Sequence, residues 1–449
     1  MLLFVPGLAN RDLWGSDEPR YAVAAREILD SGDWTNLTVN GRAYAKKPPL
    51  LMWAQAGLGT VTGEISEFET RLPGAVAGVA CVALTWLAGA LLFGRAAGFW
   101  AAIFLAVTPY FAKEARTARM DVLVTLTVLL AFTGFLLWER RRSRAALGLF
   151  LAALPLGVLA KWTGPLFVLP PLILYVSLMR RGRRLPWPVL AVGVALSIAP
   201  LLFFSDPGEF GRIATGKAHW KPIYMQLLTF PAVAAPFVLL IVPAIARMRR
   251  GGLTAGEKRG LVLLTMWIGW GLLMLTVNGS KRSNYLDPLI PAAVLFAGWI
   301  AAKTVEAGSA RWLGPLPPRR TFEAMAGVVA IGLAVWFHLW MPSRNGERSV
   351  AGLGREFLER ASPEAELAFL NSVGASSKQP GPELVFYTER RITTLKELVD
   401  LQDWLAGPGE RFAIIRQDRL GPLRMTGERF TVEREWGYAY VLVSNRIGD

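Results

Sequence analysis

The stretch WGSDEPRYAVAAREILDSGDW, Trp14 to Trp34, followed closely by NGRAYAKKPPLLMW, Asn40 to Trp53, sets two acids, an arginine, a lysine pair and a double proline just after the first apolar segment of the chain. Pro19 at a helix start and apolar residues at helical spacing make PRYAVAAREIL an amphipathic helix. Asp17 and Glu18 then stand at its N-terminus, where the helix dipole favours negative charge. Either they cap an interfacial helix, or they belong to a polar site with Arg20, Lys46 and Lys47. A lysine at a membrane surface commonly snorkels to lipid phosphates. An arginine and a lysine beside an acid at the mouth of a helical bundle also make a phosphate clamp, Arg gripping bidentately and Lys as a point charge.

What surrounds this stretch is greasy. The 449 residues are 53% hydrophobic and only 18% charged, with mean hydropathy +0.36, too apolar for an ordinary soluble enzyme. The chain reads as a polytopic α-helical membrane protein. Its net charge of +15 does not imply a nucleic-acid partner, because the basic residues fall in short clusters between apolar runs and no extended basic surface with interleaved aromatics is present. A single cysteine, Cys81, excludes an intrachain disulfide.

Apolar runs of roughly membrane length are expected over Leu72 to Phe93, Ala96 to Ala112, Asp121 to Trp138, Ala145 to Ala160, Pro165 to Met179, Pro186 to Phe204, Gln226 to Ala246, Leu261 to Val277, Leu286 to Ala302 and Glu323 to Met341. Met1 to Ala9 is apolar but too short to span and carries no signal-peptide pattern, so it reads as the end of a helix whose beginning is missing. With Arg11 to Arg71 outside, alternating crossings put Arg95, ERRRSR, RRGRR, Arg247 to Arg259 and Lys303 to Arg320 inside, as cytoplasmic retention of Lys and Arg demands. The same count leaves outside the loops 113–120, 161–164, 205–225 and 278–285 and everything after Met341.

Those outer segments hold the polar groups that look chemical. In KEARTARMDV, Asp121 opens an apolar helix, either as its N-cap or as a membrane-edge carboxylate facing the first loop; Arg116 and Arg119 lie outside against the positive-inside trend, which an anionic ligand would explain. His219 sits in GKAHWKPIY, and NGSKRSNYLDPLIPA brings Lys281, Arg282 and Tyr285 to the same side. The chain is therefore divided at 341/342: a membrane domain, 1–341, with a first outer loop, 11–71, and an extracytoplasmic α/β domain, 342–449. In the latter, REFLERASPEAELAFL reads as helix then strand, ELVFYTERRITTLKELVDLQDWL and ERFAIIRQDRL as strand, helix, strand, and GYAYVLVSN as a last strand.

DEPRYAVAAREILDSGDW, VNGRAYAKKPPL and EFETRLPGAVAG together resemble the first outer loop of the lipid A aminoarabinose transferases, and more broadly of the polyprenyl-phosphate-sugar-dependent glycosyltransferases related to protein O-mannosyltransferases. Asp121, AKWTGP, HWKP and KRSNYLDPLIPA extend the likeness in order. The resemblance implies a C-type glycosyltransferase fold in the inner membrane and transfer of a sugar from a polyprenyl (undecaprenyl) phosphate to a lipid, glycan or protein acceptor. It implies Asp17 as the catalytic carboxylate of an inverting displacement and Asp121 as a second acid. Arg20 and Lys47, with Lys46 and Tyr285, would hold the lipid phosphate, and Glu18, Arg116, Arg119, Lys281 and Arg282 would line the substrate loops. It also implies a divalent metal bound by a glutamate and by a histidine matching His219. Here Lys46 replaces that glutamate of the family's Glu-Lys-Pro-Pro, and an ammonium is no metal ligand. A flippase or transporter of a lipid-linked anion is the competing class, but transporters gather charge near the bilayer midplane on broken helices rather than in one-sided loops. A scaffold presenting the C-terminal domain is a third.

Overall fold

The computed structural model describes residues 3–15, 17–179, 187–204, 222, 224–249, 251–277, 281–308, 317–370, 381–424, 430–436 and 440–446. The chain divides into two compact units, one of Met1–Pro6, Ala45–Leu51 and Arg71–Val335, the other of Gly7–Tyr44, Met52–Thr70 and Trp336–Asp449. Most of the first outer loop thus groups with the C-terminal chain.

In the first unit the apolar runs become helices. Among the described residues six helices are long and apolar enough to cross a membrane: Glu67–Phe93, Met120–Arg141, Trp187–Phe204, Ala255–Val277, Ser283–Glu306 and Pro318–Arg344. Two further runs, expected as single spans, are broken. Arg95–Ala106 meets Pro109–Ala115 at 67°, because Thr108 is extended, as a residue before proline tends to be. Met225–Val233 and Phe237–Arg249 meet at 101° around Pro236, which has no N–H to continue a helix. The runs at 145–160 and 165–179 form the shorter apolar helices Arg144–Ala160 and Gly164–Met179.

Small residues let these helices touch backbone to backbone, the usual basis of helix association in lipid. A Cβ on Gly98 would lie 2.3 Å from the carbonyl oxygen of Trp86, and one on Gly298 would lie 2.5 Å from that of Ala97. Helices Glu67–Phe93, Arg95–Ala106 and Ile290–Glu306 are thereby held close together.

The second unit is built on a five-stranded sheet. After the short hairpin β1 (Thr38–Val39) and β2 (Arg42–Ala43), the strands are β3 (Glu366–Leu370), β4 (Ile392–Leu395), β5 (Arg411–Arg416), β6 (Thr431–Trp436) and β7 (Tyr440–Ser444). Their order is β4-β3-β5-β7-β6; β3 runs parallel to β4 and β5, and β7 antiparallel to β5 and β6. Alternate residues serve opposite faces. Ala368, Leu370, Ala413, Ile415, Val441 and Val443 pack with Leu401 and Leu405 of helix Leu398–Ala406, while Phe412 meets Phe357 of helix Ala351–Arg360 edge to face.

The loop joins this unit through specific bonds. The Tyr387 hydroxyl accepts the Leu13 N–H at 2.8 Å and donates to Glu67 at 2.9 Å. Arg26 donates to the Phe386 carbonyl at 2.8 Å and lies over the Phe386 ring. Asn40 pairs with the backbone of Ile392 in both directions, at 2.7 and 2.9 Å. ELVFYT is a helix, Gly381–Thr388, rather than part of a strand; it packs on the helix Glu18–Ser31 of the first loop.

Candidate active site

In the second unit, Asp17 occupies the N-cap position of helix Glu18–Ser31, yet its side chain makes no capping hydrogen bond and its backbone is already helical. Its carboxylate is 3.4 Å from the Arg20 guanidinium one turn on, both about one third exposed. Glu18, by contrast, is buried and bonded to Arg11 at 2.8 Å. The two acids, indistinguishable as caps in the sequence, are thus separated: Glu18 braces the loop, and Asp17 keeps a carboxylate at the surface beside a cation.

The first unit gathers a second set of charges. Asp121 is only 6% exposed. It lies inside the first turn of helix Met120–Arg141 and is not its N-cap; that position is Arg119, whose backbone is extended. One Asp121 oxygen takes the Lys161 ammonium at 2.6 Å and the other the Asn284 amide at 2.6 Å. The same ammonium lies 4.0 Å over the Tyr285 ring, a cation–π contact. Three chain segments, the start of one helix, the end of Arg144–Ala160 and the 3-10 turn Ser283–Leu289, converge on this carboxylate.

Nearby, Glu114 is fully buried and stands 2.6 Å from Lys113 and 3.5 Å from Arg119. Asp287 is also fully buried; its two oxygens have no hydrogen-bond partner among the described residues, and it is near enough for the charges of Glu114, Asp121, Lys113 and Lys161 to act on it. Arg116 turns inward to the carbonyls of Leu3 and Phe4 at 3.1 and 3.2 Å, so its charge has partners within the fold and its position does not require an anionic ligand. Lys281 is buried, Arg282 exposed, Lys46 exposed and Lys47 half-buried.

Lys161, Asn284, Glu114 and Asp287 were not singled out in the sequence. Each had one signal, a polar residue at the edge of or within an apolar run, which does not name its partner. His219 lies outside the described residues, and Lys46 presents an exposed ammonium, which is no metal ligand. Among the described residues no group of three acids, histidines or cysteines is placed to hold a metal ion.

Residues 46–204 match the model of the dolichyl-phosphate-mannose-protein mannosyltransferase family. The undecaprenyl phosphate-alpha-4-amino-4-deoxy-L-arabinose arabinosyl transferase of Edwardsiella ictaluri is 28% identical over 333 residues, 69% of this chain and 59% of that protein. One from Pseudomonas fluorescens is 26% identical over 359 residues, 74% of this chain and 61% of that protein. The chain thus spans less than two thirds of the length of these relatives. Among solved structures, ArnT of Cupriavidus metallidurans superposes with a TM-score of 0.79 at 19% identity, covering 99% of this chain and 96% of that one; a second structure of that protein is bound to undecaprenyl phosphate. The oligosaccharyltransferase AglB of Archaeoglobus fulgidus gives 0.55 at 11% identity, over 93% and 69%. At these identities the structural likeness is one of fold, and the fold is that of the C-type membrane glycosyltransferases. The chain thus has six or more apolar helices of membrane-crossing character and is similar in sequence to these arabinosyl transferases and, over residues 46–204, to the mannosyltransferase family.

Proposed function

We propose that the protein transfers a sugar from a polyprenyl (undecaprenyl) phosphate to a lipid, glycan or protein acceptor on the extracytoplasmic face of the inner membrane. The observation that carries this reading is Asp17: a surface carboxylate at a helix N-terminus, not spent on capping and 3.4 Å from Arg20. It fits a general base. The acceptor hydroxyl gives its proton to Asp17 while its oxygen attacks the anomeric carbon from the face opposite the phosphate. The bond from that carbon to the phosphate oxygen breaks, inverting the anomeric centre, and the polyprenyl phosphate departs with the electron pair. Cations are needed where that negative charge accumulates; Arg20 and Lys47 take this role, with Lys46 and Tyr285 contributing to the lipid-phosphate site.

Asp121 is the second acid. Bonded at 2.6 Å to both Lys161 and Asn284, it fixes the orientation of Lys161 over Tyr285. The donor class of the arabinosyl transferases and the undecaprenyl phosphate complex of ArnT support the donor chemistry, and the distribution of basic clusters supports the outer placement of the loops.

The test is transfer of label from undecaprenyl-phosphate sugars to endogenous acceptors in membranes, comparing wild type with Asp17→Asn at matched expression. Transfer abolished in the variant upholds the role. Full transfer by the variant removes Asp17 from the chemistry.

A further inference from the structure

Away from these charges, the first unit contains an open cleft of about 350 Å³ at the turn between helices Glu67–Phe93 and Arg95–Ala106, flanked by the end of helix Ile290–Glu306. Phe93, Trp100 and Trp299 supply its aromatic walls, and Arg95, Lys303 and Glu306 its charged lining. The volume is at the lower end of small-molecule sites, which run from about 300 to 1,000 Å³. Aromatic rings beside basic residues at helix ends are the usual furniture of the membrane–water boundary.

Two of these charges stand apart. Lys303 is held by Glu257 at 3.2 Å, and that carboxylate also takes the Trp299 indole N–H at 3.1 Å. Glu306 touches Lys303 only at 3.5 Å, with its own side chain 74% exposed. Arg95 is exposed and forms no ion pair or hydrogen bond among the described residues. The cleft therefore offers a guanidinium, a carboxylate that does not pair with it, and apolar walls. A phosphate joined through a short linker to a primary amine, on an apolar stem, is the complement of that arrangement.

We propose that this cleft holds the head group of an amine-bearing phospholipid, with the phosphate on Arg95, the ammonium on Glu306, and the glycerol and first methylenes against Phe93, Trp100 and Trp299. Arg binds phosphate through a planar fork of donors, and basic pockets between membrane helices are known to receive lipid head groups. In the topology expected from the basic clusters, Arg95 and Lys303 lie on the cytoplasmic side. The site is therefore separate from the proposed transfer reaction and stands or falls independently of it.

Native mass spectrometry of the detergent-purified full chain, titrated with dihexanoyl phosphatidylethanolamine, phosphatidylglycerol and phosphatidylcholine below their micellar concentrations, tests it. Phosphatidylethanolamine binds tightest. Arg95→Gln weakens binding of that lipid about tenfold, as loss of a charged hydrogen bond implies. Glu306→Gln brings phosphatidylethanolamine down to the level of phosphatidylglycerol and leaves phosphatidylglycerol unchanged. Equal binding of all three lipids, or variants that alter none, overturns the proposal. Free phosphoethanolamine binding as tightly as the lipid also overturns it, by making the ligand a soluble phosphoamine.

Discussion

Lys161 and Asp121, 40 residues apart, meet with ammonium and carboxylate 2.6 Å apart at a largely buried position. A buried ion pair contributes little over an apolar pair of the same shape, but removing one partner strands the other. Asp121→Asn and Lys161→Met should each lower stability by about 3–5 kcal/mol, read as thermal unfolding in detergent. The double variant should regain much of that stability while transfer stays lost. Activity returning with stability would reduce the pair to a structural brace.

Tyr387 clasps two points of the first loop, Leu13 and Glu67. Burial, then the neighbouring Glu67 carboxylate, pushes its phenol well above the ordinary tyrosine range, so it stays a donor at all working pH. Tyr387→Phe leaves the Leu13 N–H without its acceptor, at a cost of about 1–3 kcal/mol. Hydrogen exchange at the Leu13 amide should quicken; an unchanged rate would show that another group holds it.

Glu383 gives the second unit a pH dependence. It is buried at 3% exposure and accepts the Val350 N–H at 2.7 Å at the start of helix Ala351–Arg360. Burial pushes its carboxyl up to about 8, with Asp12 and Glu18 adding to the rise against the bonds from Val350 and Ser349. The folded form therefore holds a proton that the unfolded form releases near the ordinary glutamate value. Stability from this group is fully present below that value and falls as pH rises toward 8, by roughly 1.4 kcal/mol per pH unit at the steepest. Glu383→Gln keeps an acceptor for Val350 and should flatten this slope. A denaturation series from pH 5 to 9 in both proteins decides it.

Asn40 has φ 58°, a left-handed conformation that Asn tolerates better than other side chains, while its amide pairs with Ile392. Asn40→Gly should lose only the two bonds; Asn40→Ala should lose them and carry backbone strain of about 1 kcal/mol more. Equal stability of the two variants would mean the backbone relaxes there.

Gly98 is bounded by backbone, with a Cβ only 2.3 Å from the Trp86 carbonyl, so no side-chain rotation can make room. Gly98→Val should separate two helices and sharply reduce the folded protein recovered from membranes, whereas Gly148→Ala, where a Cβ meets nothing, should leave it unaffected. Equal recovery of both would show that the helices part at little cost.

The membrane helices were legible because twenty apolar residues in a row have few other uses. Their breaks were less so: Pro109 is plain in the sequence, but whether the chain kinks or ends there depends on what packs around it. Asp121 could be seen as an acid at a helix start, but not its partners, since Asn284 lies 163 residues away and nothing local marks it. Burial separates Glu18 from Asp17, and burial is a tertiary fact. In the C-terminal chain, ELVFYT carries strand-favouring aromatic and branched residues, yet its packing on helix Glu18–Ser31 makes it a helix. The strand Thr431–Trp436 escaped notice because Glu and Arg interrupt it, as suits the edge of a sheet.

The bond between Asn40 and Ile392 spans 352 residues, and it has a consequence for how the protein is made. At synthesis rates of about 5–20 residues per second, the first loop exists for on the order of half a minute before its partner strand is translated. Throughout that interval the Asp17 loop lacks the surface it folds against. A premature stop between Arg344 and Ile392 would therefore leave a chain with its apolar helices made and its first loop without the strand it bonds to, a natural target for membrane quality control.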